Sequence, residues 1–145
     1  MPSIHEHSHI KAEPEAVFDL ITGVGDFCRY TDLIEKIKEI APGTYRWRVR
    51  IFGMPLQWDV LITENVRPKR FAWRSIRGVD NSGCYALTPT DSGTQVSLTM
   101  SYQLANPLLE MVLGPVTQQL IRKVGTEILA AVKQRLESQP GSSPS

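Results

Sequence analysis

Three histidines open the chain at alternate positions, His5, His7 and His9. On an extended strand alternate side chains share a face, and a His-x-His pair in that arrangement can ligate zinc. Alternate residues of a flat strand lie about 6.5–7 Å apart, too far for three imidazoles in a row to close easily on one ion. Ile4 and Ile10 occupy the opposite parity, so the isoleucines take the buried side and the histidines face solvent. No metal site is assigned. A second set of chemical groups is basic. Arg46, Arg48, Arg50, Arg70 and Arg74 share the outward parity of neighbouring extended runs. Residues 46–77 hold eight basic and two acidic side chains, net +6, inside a chain whose net charge is only +1, so the remainder carries −5. Such a face suits an anionic membrane surface or RNA. Its ordinary alternative is a solvated surface paired in part with Asp59 and Glu64. No specific DNA binding is expected.

The two cysteines, Cys28 and Cys84, are far apart and form no C-x-x-C pair. They read as small hydrophobes in a reducing compartment, which makes a cytoplasmic location the default. The first ten residues lack the apolar core of a secretory signal, and no apolar run approaches the roughly 20 residues that span a bilayer. With 145 residues, 41% of them hydrophobic and 21% charged, the chain has enough for one core and too little for two.

The elements that position these groups follow from periodicity. Ser3 to Lys11 alternate as a strand with one buried side. Pro14 beside Glu13 and Glu15 starts a short helix carrying Val17, Phe18, Leu20 and Ile21, and Gly23 and Gly25 stop it. Residues 26–30 form a second short helix or turn. From about Ile34 the period becomes two for some 70 residues. Tyr45, Trp47, Val49 and Ile51 alternate with the arginines. Leu56, Trp58, Val60 and Ile62 follow, then Phe71 and Trp73, then Tyr85 and Leu87 after Gly83. Val96, Leu98, Met100, Tyr102 and Leu104 complete the series. Turn residues at Pro42-Gly43, Gly53-Met54-Pro55, Pro68, Gly78 and Asp91-Ser92-Gly93 separate the runs, and such short connections imply antiparallel pairing. One face is apolar and one wet, as in a sheet covered on one side.

The cover is the last element, a helical pattern from Asn106 to about Leu136. Leu109, Val112, Leu113, Val116 and Leu120 make one stripe, and Val124, Ile128, Ala131 and Val132 continue it with a rotation. Gly114-Pro115 lies between, and a kink or fresh start is expected there because proline removes a helix hydrogen bond. The tail from Ser138 to Ser145 has nothing to bury and reads as disordered, leaving one domain over residues 1–137.

This order resembles the helix-grip fold of the START-like (SRPBCC) superfamily and its polyketide cyclase/dehydrase family. The likeness rests on residues 10–21 (IKAEPEAVFDLI), on Trp58–Glu64 with residues 68–75 (PKRFAWRS), and on residues 83–89 (GCYALTP) with 93–99 (GTQVSLT). It implies an α+β domain whose curved antiparallel sheet wraps a long C-terminal helix, with two short helices after the first strand. It also implies a cavity between sheet and helix, lined by Tyr45, Trp47, Trp58, Trp73, Tyr85, Met100 and Tyr102 from the sheet and by Val112, Val116 and Leu120 from the helix. An aromatic stripe at strand spacing is also what a packed core looks like. An empty apolar cavity of roughly 300 Å³ would cost on the order of 7 kcal/mol, close to a whole domain's stability. Such a space is therefore packed shut, wet or filled.

Function follows the resemblance only so far, because fold does not fix function. The reading is binding or transport of a small hydrophobic molecule such as a lipid, a quinone or a polyketide-like aromatic. One alternative is a cyclase/dehydratase using the same cavity, and another is an interaction module using the basic sheet face. The expected lining offers tyrosines and Ser75 but no histidine, and carboxylates such as Asp59 fall on the wet face. No catalytic residue, cofactor or metal is assigned.

Overall fold

The computed structural model describes residues 3–51, 53–103 and 107–138, with the backbone alone at 51, 54, 107–110, 112–115 and 117. Leu104 and the tail beyond Ser138 lie outside the described residues, as does the side chain of Val112. Strand β1 (Ser3–Ile10) leads into helix α1 (Pro14–Ile21) and a short 3-10 helix (Val24–Arg29). Six strands follow: β2 (Ile34–Ala41), β3 (Thr44–Ile51), β4 (Met54–Val66), β5 (Arg70–Gly78), β6 (Asp80–Thr90) and β7 (Gly93–Gln103). Helix α2 (Pro107–Glu137) closes the chain.

The seven strands form one antiparallel sheet in the order β1-β7-β6-β5-β4-β3-β2. The first two helices carry the chain from β1 at one edge to β2 at the other. From there every strand pairs with its predecessor until β7 returns beside β1. Short turns make this possible, and Gly78 supplies one of them with φ +84°, a conformation that side chains with a Cβ rarely adopt. The architecture is the helix-grip fold.

The strand parity expected from the sequence holds on β1, where Ile4 and Ile10 are fully buried and His5 and His7 are exposed. In α1, Pro14 occupies the first helical positions and Val17, Phe18 and Ile21 turn inward. Two details go beyond what periodicity gives. Helix α2 is continuous from Pro107 to Glu137, so of the kink or fresh start expected at Gly114-Pro115 the fresh start is excluded. Strand β6 starts at Asp80, before the Gly83 from which its alternation is read, and pairs with β7 from Asp80↔Gln103 onward.

The core lies where α1 and the second half of α2 cover the β1, β7 and β6 side of the sheet. Ile10, Val17, Ile21, Val96 and Val132 are completely enclosed there. Phe18 meets Phe71 of β5 edge to face, with ring centroids 6.3 Å apart. Polar contacts fasten α2 to β1: Lys133 Nζ donates to the His9 carbonyl at 2.6 Å, and the Lys11 backbone N–H donates to Glu137 Oε2 at 2.9 Å.

Candidate functional site

Toward the β3–β5 side of the sheet the packing opens into a cavity of about 100 Å³. It lies between the concave sheet face and the middle of α2, with Val24 and Phe27 of the 3-10 helix and Ile34 of β2 at one end. Strand alternation delivers its floor: Trp47 from β3, Trp58 and Val60 from β4, Phe71 and Trp73 from β5. Tyr85, Leu98, Met100 and Tyr102 continue the floor on β6 and β7. Leu120, Val124 and Ile128 form the roof, with Gly125 between them. Gly125 lets the helix come close to the sheet, since a Cβ there would stand 2.9 Å from Leu98 Cδ2.

The aromatic groups are organised in two sets. Trp47 and Trp58 are direct cross-strand partners and stack with centroids 6.0 Å apart and planes 18° from parallel. Phe27 meets the Trp47 ring edge-on at 6.0 Å. On the other side Trp73 leans on Tyr85 at 5.6 Å. Aromatic pairs of this kind add about 0.5–1.5 kcal/mol beyond the area they bury. They also hold flat, rigid faces toward the space between them.

Polar groups in the lining are few. Trp73 Nε1–H donates to Asn81 Oδ1 at 2.8 Å, and Asn81 Nδ2 donates to the Ser101 carbonyl at 3.3 Å. Asn81 is only 7% exposed. Trp47 Nε1 is buried without a hydrogen-bond partner among the described residues. Burial pushes the Tyr85 phenol well above its ordinary pKa, so it remains a protonated donor. No histidine, carboxylate, lysine or cysteine stands among the described lining residues. The lining can enclose and orient an apolar molecule and donate hydrogen bonds to it. Its described residues offer no group that would accept a proton near neutral pH.

Of the ten residues expected at the cavity, Trp47, Trp58, Trp73 and Leu120 line it, as do Tyr85, Met100 and Tyr102. Tyr45 does not. It shares the parity of Trp47 but sits one inward position farther along β3, toward the turn into β2. There it pairs with Glu39, whose carboxylate hydrogen-bonds its side chain and, after burial, raises its pKa. Val116 is partly buried on α2 and is not part of the lining, which on the described helix begins at Leu120. Ser75 spends its hydroxyl on the Val79 carbonyl at 2.7 Å. Among the residues that periodicity missed are Val24 and Phe27, hidden in a 3-10 helix, Leu33 and Val79 at strand ends, Ile121 on α2, and Asn81, whose type suggests a turn.

The outer sheet face carries the arginines, and four of the five are ion-paired. Arg46 grips Asp59 through Nε and Nη2 at 2.9 and 3.2 Å. Arg48 and Arg50 share Glu35 at 3.7 and 3.1 Å, and Arg70 meets Glu64 at 2.9 Å. Arg74 makes no ion pair among the described residues. Asp59 is on the outer face as expected but is not wet. It lies in register between Arg46 and Arg77 and is 5% exposed, and the Arg46 hydrogen bonds hold its carboxyl below the ordinary range. His9 Nε2 is within hydrogen-bond distance of Thr90 and Ser92, and His5 Nδ1 of Thr99. Among the described residues no group of three or more His, Cys, Asp or Glu could hold a metal ion. Cys28 and Cys84 are free thiols, and no described helix is long and apolar enough to cross a membrane.

Solved structures place this geometry among known proteins. A protein from Thermus thermophilus superposes with a TM-score of 0.78 at 22% identity, over 92% of this chain and 96% of its own. A START superfamily protein from Mycobacterium smegmatis gives 0.69 at 15% identity, over 93% and 97%. The Zhui aromatase/cyclase from a Streptomyces species gives 0.69 at 17% identity, over 94% and 96%. At these identities the likeness is one of fold. No curated protein sequence matches the chain significantly. The family model described as polyketide cyclase / dehydrase and lipid transport matches residues 1–137. With this match over nearly its whole length, the chain belongs to the polyketide cyclase / dehydrase and lipid transport family.

Proposed function

We propose that the cavity binds a small hydrophobic molecule, with an aromatic or isoprenoid-quinone type of ligand fitting its walls better than a saturated fatty chain. The observation that carries this reading is the apolar space itself, walled by Trp47, Trp58 and Trp73 under Leu120 and Val124. Left empty and dry, about 100 Å³ would cost roughly 2 kcal/mol at about 24 cal/mol per Å³. That is well below the cost of a 300 Å³ void, so the fold tolerates the space but gains when it is filled. The volume suits one ring. A larger ligand enters ring first, or requires α2 to move outward.

The alternative within the same family is a cyclase/dehydratase. Its support is the buried Tyr85, a protonated phenol in the lining that could polarise a ligand carbonyl. The lack of a proton acceptor in the described lining favours binding over catalysis. The basic sheet face as a site for an anionic membrane or RNA is the weaker reading, because its charge is largely paired. Thermal stability against a panel of fatty acids, quinones and aromatic polyketides, with native mass spectrometry on the hits, tests the binding proposal. A one-to-one complex that melts at higher temperature supports it, and product analysis then separates carrier from enzyme. No shift with any of them refutes it, and binding to anionic vesicles or RNA that falls steeply with salt would turn attention to the arginines.

A further inference from the structure

The geometry points to Asn81 as the polar anchor of the cavity, a fixed amide N–H donor that selects an aromatic ligand bearing a carbonyl oxygen. This rests on the cavity being a ligand site, as proposed above.

The orientation of the amide follows from its partners. An indole N–H can only donate, so the atom of Asn81 facing Trp73 Nε1 at 2.8 Å must be the oxygen. The nitrogen is thereby turned toward β7, where it donates to the Ser101 carbonyl at 3.3 Å. A primary amide has two N–H donors and two acceptor lone pairs. Its described partners use one of each, which leaves one N–H and one lone pair on a residue that is 7% exposed and lines the cavity. The surrounding lining is almost entirely hydrocarbon, so a polar group here does not arise from packing needs alone.

The arrangement is built from both sides. Gly83, opposite Trp73 in the β5–β6 ladder, has no Cβ, and one placed there would collide with the Trp73 ring. Trp73 can therefore lie flat across β6 and bring its N–H to Asn81. Asn81 in turn is held by backbone pairing with Tyr102. A donor fixed in this way does not have to reorganise when a carbonyl arrives, and it penalises a ligand that leaves it unpaired. A ketone, quinone or aryl aldehyde satisfies it, and a hydrocarbon of the same shape does not.

The test uses acetophenone and its hydrocarbon isostere α-methylstyrene as probes, with dissociation constants measured for the native protein and for Asn81→Leu. The expected result is that Asn81→Leu weakens acetophenone about tenfold while α-methylstyrene binds as well or better. Comparing the two probes cancels general damage to the cavity. If Asn81→Leu does not fold, the native protein still decides: the Asn81 side-chain amide resonances shift with acetophenone and not with α-methylstyrene. Equal loss of both probes, or amide shifts that do not distinguish them, overturns the anchor and leaves Asn81 as a brace for Trp73. Failure of the native protein to bind either probe instead overturns the cavity reading on which the anchor stands.

Discussion

The two ends of the sheet are packed by different rules. Beside β1 and β7, Ile10, Val17, Ile21 and Val132 are fully enclosed, because two helices cover the sheet and supply branched aliphatics that interdigitate. Beside β3 and β4 the cover among the described residues is the middle of α2 and a 3-10 helix, and indoles, Trp47 and Trp58, stand among the aliphatic side chains that meet there. Rigid planar rings stack on one another, as Trp47 does on Trp58, and leave space where aliphatic chains would have closed it. The closed end holds the fold together, and the aromatic end holds a volume open.

Substitutions can break or sharpen that contrast. The largest effect is expected from Phe18→Ala at the closed end, which empties a site that is 2% exposed and loses the contact with Phe71. Urea unfolding should show a loss of about 3–5 kcal/mol, with probe affinity unchanged in the folded fraction. Trp58→Ala at the open end should cost less, about 1–3 kcal/mol, because the ring already borders empty space, yet it should weaken binding of small aromatic probes markedly. Equal stability losses at the two ends, or undiminished binding by Trp58→Ala, would erase the distinction. Val124→Leu adds one methylene to the roof. It should stabilise the ligand-free protein by up to about 0.8 kcal/mol and lower probe affinity.

The smallest effects are electrostatic. Glu137 is held below its ordinary pKa, first by the Lys11 backbone N–H and then by Lys133, and Asp59 is held down by Arg46. A carboxyl whose pKa is lower folded than unfolded contributes stability that is fully present above its unfolded pKa. That contribution is lost as pH falls through the folded value. Melting temperature should therefore fall on the acid side, below about pH 4.5, the ordinary glutamate value. Glu137→Gln and Asp59→Asn should each flatten that limb without changing probe affinity near neutrality. An unchanged acid limb in Glu137→Gln would mean that α2 is not fastened to β1 through this carboxylate.

Much of the fold was legible in the chain because its cause is local. Alternation puts Trp47, Trp58 and Trp73 on one face whatever else happens, and Pro14 with the glycines at 23 and 25 brackets the first helix. Residues 106–136 could only be a helix covering that face. The site was legible in part. Seven of the ten residues expected at the cavity line it, since parity decides inside from outside. Parity cannot decide between cavity and edge, nor a helical stripe how far along the helix the cavity extends, so Tyr45 and Val116 were on the right faces and still fell outside the lining. Nor could it announce Asn81, whose role depends on an indole eight residues away across a hairpin and on a missing Cβ at Gly83.

The sequence by itself determined which residues face inward and in what order the elements come, because backbone geometry and the burial of apolar side chains act over a few residues. Tertiary structure alone decided where the inward face is filled and where it is left open. That outcome depends on how volumes from β3, β5, β6 and α2 add up in space, a sum taken over residues that are neighbours only after the chain has folded.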